Sequence, residues 1–284
     1  MNNKMNKDGI AMWHYRHRST IENVRFFADS GFDFLSLNQW QVVDCILEAD
    51  GGELLAKTIT EKNLRITVHG GMPRSHNAED VDEFKKKIIL IGEWQKKYGL
   101  IEVISFDIFE EIRDNIASYI NFVLDEVPIC KVAVEDFGLN EKELLQIEYL
   151  KDNDRFGYLI DIGHLYIRLT GKSERACSLF RHSVLEGEGT GKTEYKDFVE
   201  ALKSKTFPIF EIHLHNNDGI EDLHLFLEDG SMDIKCIADA LKELKYEGAI
   251  TIESAPGYKF ECAGREADEG IIRTFKHWKV LYRE

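Results

Sequence analysis

The sequence alternates short β-rich runs with amphipathic helical patterns about eight times, and this alternation constrains the fold more than any other feature. The predicted strands are Ile10–His14, Phe32–Leu37, Leu64–His69, Ile101–Phe106, Cys130–Glu135, Gly157–Ile162, Ile209–His213 and Ala249–Glu253. The helical patterns between them include Thr20–Ala28, Val81–Lys97, Glu110–Leu124, Glu141–Leu150, Ile234–Leu244 and Ala267–Trp278. Such an alternation is typical of parallel strands joined by crossover helices. Eight units favour an α/β fold closed into a (β/α)8 barrel, with a doubly wound open sheet as the alternative.

The chain is 284 residues long, which is near the usual size of a (β/α)8 barrel. Only four prolines occur and no Ser/Pro-rich linker divides the sequence, so we expect a single domain over residues 1–284. One connection, from Arg168 to Phe207, is long and contains the string GEGTGK at Gly187–Lys192. A phosphate-binding P-loop would need glycine at position 186, which is glutamate, so we interpret this stretch as a surface loop or lid.

The charge and cysteine content narrow the class of protein. Acidic residues outnumber basic ones by 51 to 36, a formal charge of −15, which disfavours nucleic acid as a partner. The cysteines are Cys45, Cys130, Cys177, Cys236 and Cys262, an odd number without CxxC spacing, as expected of reduced thiols. No apolar stretch has the length of a signal peptide or a membrane span. We therefore expect a soluble, cytoplasmic protein without a membrane partner, and homo-oligomerisation stays open.

The apolar runs of five predicted strands end in acids or histidines. These ends read ITVHGG, VAVED, YLIDIGH, EIHLHNND and AITIES. In a parallel barrel, functional side chains collect where the strands end and the following loops begin. A capping or packing role explains any one of these residues, but five such ends at the same level of a barrel indicate a site.

The two-residue period of a strand indicates which of these side chains converge. If Ala133, Leu159 and Thr251 face the barrel interior, then Glu135, Asp161 and Glu253 face it too, and His213 and His215 share one face of the seventh strand. The sequence alone does not choose between these two histidines. Three carboxylates and an imidazole that converge on one mouth would repel one another unless a cation were present. Together they suit Mn²⁺, Zn²⁺, Co²⁺ or Mg²⁺.

A second group of candidate residues follows the sixth and seventh strands. His164 comes three residues after the strand-end acid, and Asp222 and His224 lie in the loop after strand seven. This trio is predicted either to form a second metal site or to bind substrate and transfer protons. The strand period also places Glu211 inside the barrel, where the sequence suggests no role for it.

These motifs resemble those of the xylose-isomerase-like barrel superfamily, which includes sugar epimerases, hydroxypyruvate isomerase, inosose dehydratase and endonuclease IV. The resemblance covers the third to the eighth predicted strand, and residues 213–254 are its most specific part. It implies a metal ion held by Glu135, Asp161, His213 and Glu253, with the two glutamates as the acid–base pair. It also implies that His215 lies beside the substrate.

The endonuclease branch of the superfamily implies two further zinc positions. One would use His164, Asp222 and His224, and the other would use His69 with Glu135. That branch has another histidine at the end of strand four, where this chain reads VISFDI and only Asp107 is available as a substitute. His69 is therefore expected to orient the substrate. The lysine motifs of xylose isomerase itself are not apparent.

The expected function is a metal-dependent isomerase or epimerase of carbohydrate metabolism. Its substrate would be a ketose, a keto-acid or a related polyol, with Glu135, Glu253 and His164 as catalytic residues. The alternative is a zinc-dependent phosphoesterase resembling endonuclease IV, which the Asp222-x-His224 pair favours and the charge of −15 disfavours. A barrel that binds a sugar without turning it over is the non-catalytic alternative.

Overall fold

Eight parallel strands close into a barrel in sequence order, with β8 pairing to β1. The computed structural model describes residues 8–135, 148–170, 194–255 and 265–283. The strands are β1 (Asp8–Ala11), β2 (Phe34–Asn38), β3 (Arg65–Gly71), β4 (Ile101–Asp107), β5 (Lys131–Glu135), β6 (Phe156–Asp161), β7 (Ile209–Leu214) and β8 (Ala249–Ile252). This topology confirms the predicted (β/α)8 barrel and rules out the open sheet.

Helices connect the strands and surround the barrel. They are α1 (Thr20–Asp29), α2 (Gln39–Leu47), α3 (Glu53–Glu61), α4 (Ala78–Tyr98), α5 (Ile116–Glu126), α6 (Glu148–Lys151), α7 (Ile162–Thr170), α8 (Tyr195–Lys203), α9 (Ile234–Glu243) and α10 (Arg265–Arg283). A 3₁₀ helix, Glu110–Asn115, precedes α5, so the predicted helix Glu110–Leu124 changes type partway along. Within the described ranges, none of these helices has both the length and the apolar character to cross a membrane.

Several predicted boundaries are wrong. Strand β1 ends at Ala11, so His14 lies in the loop that follows it. The connection between β2 and β3 holds two nine-residue helices, α2 and α3, separated by a turn at Gly51 and Gly52 with positive φ. Each helix is too short to give a distinct helical period in the sequence.

The long connection after β6 is helical at both described ends. Helix α7 begins directly after Asp161, and α8 ends four residues before Phe207. The segment Gly187–Lys192 lies outside the described residues, as does most of the predicted helix Glu141–Leu150.

A small apolar cluster lines part of the barrel interior. Val103, Ala133, Leu159 and Phe210 pack together, apart from the large core between strands and helices. By the strand period, Ala133 and Leu159 share a face with the last residues of β5 and β6. On β5 and β6, apolar side chains therefore precede the polar residues at the strand ends on the same face. Of the predicted thiols, Cys45, Cys130 and Cys236 are free, and the other two cysteines are outside the described residues.

One arginine closes the carboxyl end of α5 against the start of β6. The guanidinium of Arg155 donates to the carbonyl oxygens of Leu124, Val127 and Cys130 at 2.7–3.1 Å. These carbonyls belong to the last turn of α5 and the chain after it, where helical partners run out. The contacts tie three consecutive elements together.

We expect Arg155→Met to lower the free energy of unfolding by about 3 kcal/mol, because hydrogen bonds from a charged donor typically contribute about 1.5–3 kcal/mol each and are not additive. Urea denaturation measures the change. The control is Lys151→Met on the exposed surface of α6, which should change stability by less than about 0.5 kcal/mol. Equal losses in both variants would contradict this role for Arg155.

Candidate metal centre

Four predicted metal ligands lie buried at the carboxyl ends of neighbouring strands. Glu135 ends β5, Asp161 ends β6, His213 is the penultimate residue of β7, and Glu253 directly follows β8. Asp161 pairs in register with His213 across β6 and β7. Parallel strands and a closed barrel thus bring these side chains to one mouth.

Their ligand atoms form two overlapping groups. Asp161, His213 and Glu253 offer atoms that all lie within 4.8 Å of one another, and so do Glu135, Asp161 and His164. In the first group, His213 Nδ1 lies 2.8 Å from Glu253 Oε2. In the second, His164 Nδ1 lies 2.8 Å from Glu135 Oε1. Asp161 belongs to both groups and therefore links Glu135 with His213 and Glu253.

His215 takes a different position from His213. Its Nε2 lies 3.1 Å from Asp161 Oδ1 and 3.4 Å from Asp222 Oδ1, whereas His213 contacts Glu253. The ring packs against Gly163, where a Cβ atom would come within 2.1 Å of it. Only glycine at position 163 leaves room for the ring, so Gly163 in the D-I-G-H sequence at the end of β6 allows His215 to lie there.

The predicted trio after β6 and β7 comes together and gains His215 as a fourth member. His164, His215, Asp222 and His224 offer ligand atoms within 4.8 Å of one another. Asp222 Oδ2 lies 3.2 Å from His164 Nε2 and 3.1 Å from His224 Nε2. The rings of His215 and His224 stack at 3.9 Å with an interplanar angle of 13°. This cluster has the composition of a second cation site.

The loop that carries Asp222 and His224 is fixed by backbone hydrogen bonds. Asn216 and Leu225 form an antiparallel bridge, and the amide of Ala255 donates to the carbonyl of His224 at 2.7 Å. His224 has a φ of +46°, a conformation that costs a non-glycine residue energy. Contacts on both sides hold it there, including an Nδ1 contact to the Glu253 carbonyl at 2.9 Å.

His69 lies at the opposite edge of the mouth, beside a carboxylate. Its Nε2 is 3.2 Å from Asp107 Oδ1, and His69, Asp107 and Glu135 form another group with ligand atoms within 4.8 Å. Ser105 contacts the other ring nitrogen at 3.1 Å. The ring of Trp13 stacks on His69 at 5.3 Å. Asp107 thus stands at the end of β4, where the sequence offered no histidine.

Sequence reasoning missed His14 and Trp13. His14 Nε2 lies 3.5 Å from Glu253 Oε1, and Trp13 packs against the rings of both His69 and His213. The signal was present, because the first apolar run, GIAMWH, also finishes in a histidine. We assigned that histidine to the strand itself rather than to the loop at the mouth.

The electrostatics of the mouth match a site for a cation. Burial raises the pKa of Glu135 to about 8, although the hydrogen bond with His164 lowers it. Burial also acts to raise the pKa of Glu253, but the charges of His213 and His224 lower it well below its usual range. Burial lowers the pKa of His213, yet the Glu253 carboxylate raises it well above its ordinary value. A divalent cation could replace the protons that these imidazoles hold.

The donor set fits such a cation in type and spacing. Carboxylate oxygens and imidazole nitrogens suit Zn²⁺, Mn²⁺ and Co²⁺ together. Ligand bonds of about 2.0–2.2 Å place the ligands of one ion roughly 3–4 Å apart. The ligand atoms of Asp161, His213 and Glu253 lie within 4.8 Å of one another, so their separations are close to those of ligands that share one ion.

The chain belongs to the xylose isomerase-like TIM barrel family, whose model matches residues 24–278. An uncharacterized protein of Methanocaldococcus jannaschii is 23% identical over 243 residues, which is 82% of this chain and 72% of that protein. A D-tagatose 3-epimerase-like protein superposes with a TM-score of 0.66 at 20% identity, covering 98% of both chains. The IOLI protein with a bound zinc atom gives 0.67 at 14% identity, covering 98% of both chains. At these identities, the two solved structures show a shared fold.

We expect Asp161→Asn and His213→Ala to lower zinc affinity by about 100-fold or more. Asp161→Asn removes a charged ligand from the group of Asp161, His213 and Glu253, and His213→Ala removes its imidazole ligand. Even residues that only support a ligand typically change metal affinity 10–100-fold. Elemental analysis and chelator competition on purified protein measure the effect. His277→Ala, in α10, is the matched control and should leave the metal content unchanged. Full metal content in both site variants would refute the assignment.

Proposed function

We propose that the protein is a divalent-metal-dependent isomerase or epimerase acting on a small ketose, keto-acid or related polyol. The observation that carries this proposal is the position of Asp161, which belongs to one ligand group with Glu135 and to another with Glu253. Two glutamates thus flank a single centre from β5 and β8. Moving a proton off one carbon and returning it requires a base and an acid in such an arrangement.

A divalent cation bound at this centre would polarise the substrate carbonyl and acidify the neighbouring C–H bond. Glu253 is proposed to accept that proton, and Glu135 to return one. After Glu135 has given its proton to the substrate carbon, His164, whose Nδ1 lies 2.8 Å from Glu135 Oε1, would supply the next proton to that carboxylate. Because the two atoms are in direct contact, the proton passes between them without a bridging water.

His69 and His215 are proposed to orient the substrate. They lie on different sides of the centre, one beside Asp107 and the other beside Asp161. Imidazoles in these positions can donate to or accept from substrate hydroxyls. The sugar-epimerase likeness of the fold supports a sugar or sugar-like substrate and a place in carbohydrate metabolism.

A phosphoesterase is the second candidate, and the cluster of His164, His215, Asp222 and His224 favours it. That cluster, the central groups and the His69–Asp107–Glu135 group give several adjoining positions suited to cations. Several cations close together can clamp the attacking and leaving oxygens of a phosphodiester. The chain's net charge of −15 opposes a nucleic-acid substrate.

Glu253→Gln separates the two functions. An amide oxygen can still coordinate a cation, but an amide accepts no proton at neutral pH. We expect this variant to lose carbon-bound proton exchange by about 10²–10⁴-fold. Deuterium incorporation from heavy water into D-tagatose and a panel of other ketoses and keto-acids, followed by NMR, measures the rate. Glu243→Gln, an exposed carboxylate on α9, is the control and should match the wild type.

The opposite pattern would establish the phosphoesterase. In that case no substrate in the panel exchanges deuterium, while the wild type nicks an abasic DNA oligomer in a metal-dependent reaction. His164→Ala and His224→Ala would then abolish the nicking by disrupting the second cluster.

A further inference from the structure

Glu211 is a buried carboxylate that neither function uses. It lies on β7 two residues before His213, so both side chains point into the barrel. The hydroxyls of Thr67 and Thr251 donate to its Oε1 at 2.8 and 2.9 Å. Its Oε2 is buried and has no hydrogen-bond partner in the part of the chain that the structure describes. Glu211 also belongs to none of the candidate ligand groups found there.

The two ring nitrogens of His213 face different carboxylates. Nδ1 lies 2.8 Å from Glu253 Oε2, in the central group. Nε2 points the other way, 3.6 Å from Glu211 Oε1, and it too is buried without a hydrogen-bond partner among the described residues. A distance of 3.6 Å is just longer than a hydrogen bond. A small rotation of the His213 ring or of the Glu211 side chain would bring Nε2 within hydrogen-bonding distance of the carboxylate.

A neutral imidazole carries one N–H group, and its acceptor decides which nitrogen keeps the proton. If a carboxylate accepts from Nε2, the lone pair of Nδ1 is free for a cation. We propose that Glu211 is the positioning residue that fixes His213 in this state, with Nε2–H directed at Glu211 and Nδ1 at the centre. The inference rests on the proposed role of His213 as a metal ligand.

The burial of Glu211 supports a role of this kind. A carboxylate without any exposed surface loses its hydration, and two hydroxyl donors replace only part of it. A neutral side chain of the same shape would be less costly for folding. Glu211 is not placed to bind the same cation as Glu253, because the ring of His213 stands between the two carboxylates. Besides the two hydroxyls, its carboxylate lies close to the Nε2 atom of His213, at 3.6 Å.

The experiment uses Glu211→Gln, which keeps the shape and a weaker acceptor, and Glu211→Leu, which removes the acceptor. Zinc alone is titrated into the full chain while ¹⁵N NMR follows the ring nitrogens of His213. Zinc affinity at His213 should fall about tenfold for Gln and towards 100-fold for Leu. In the zinc-loaded wild type, Nε2 should carry the proton. Asp8→Asn is the control, since Asp8 is another buried carboxylate of the barrel, paired with Arg283 and away from the mouth, and should leave the affinity unchanged.

Stability of the metal-free protein separates positioning from a purely structural role. Glu211→Gln removes a buried charge, so its resistance to urea should not fall even though zinc binding weakens. Equal zinc affinity in the wild type and both variants would overturn the inference and leave the proposed centre intact. Weaker zinc binding accompanied by an equal loss of metal-free stability would also overturn it. A wild type that takes up no zinc at His213 would overturn the centre and the inference together.

Discussion

Several carboxylates are buried in one barrel mouth, and the rest of the site depends on how their charge is balanced. Each has an imidazole within about 3 Å, and these contacts are the pairs Glu135–His164, Asp161–His215, Asp222–His224 and Glu253–His213. Unpaired, such buried charges would oppose folding strongly. The histidines supply positive charge as long as they keep their protons, and cations would supply it when the histidines act as ligands.

The barrel makes this concentration of charge possible. Parallel strands end at one mouth, so residues far apart in sequence, from His69 to Glu253, share a space a few ångströms across. The apolar cluster that includes Leu159 and Phe210 lines part of the interior. Short distances and burial also weaken dielectric screening, which strengthens every pair. The fold thus concentrates negative charge and brings the histidines that balance it to the same mouth.

The sequence predicted the barrel, the mouth and most of the residues there, because a two-residue strand period and parallel topology follow from local pattern. It did not choose between His213 and His215, which share a face of one strand. The difference between them arises from the contact of His215 with Gly163 and Asp222, which is tertiary. The sequence named Asp107 only as a substitute for a missing histidine, and its contact with His69 is made through the pairing of β3 with β4.

The central claim is that Asp161, His213 and Glu253, with Glu135 adjoining, hold a divalent cation. Anomalous X-ray diffraction at the zinc edge, from crystals grown with zinc, tests it most directly. The account predicts a strong anomalous peak at the barrel mouth, within about 2.0–2.3 Å of ligand atoms from these residues. A mouth without an anomalous peak, or a peak whose ligands include none of Asp161, His213 and Glu253, would contradict the account.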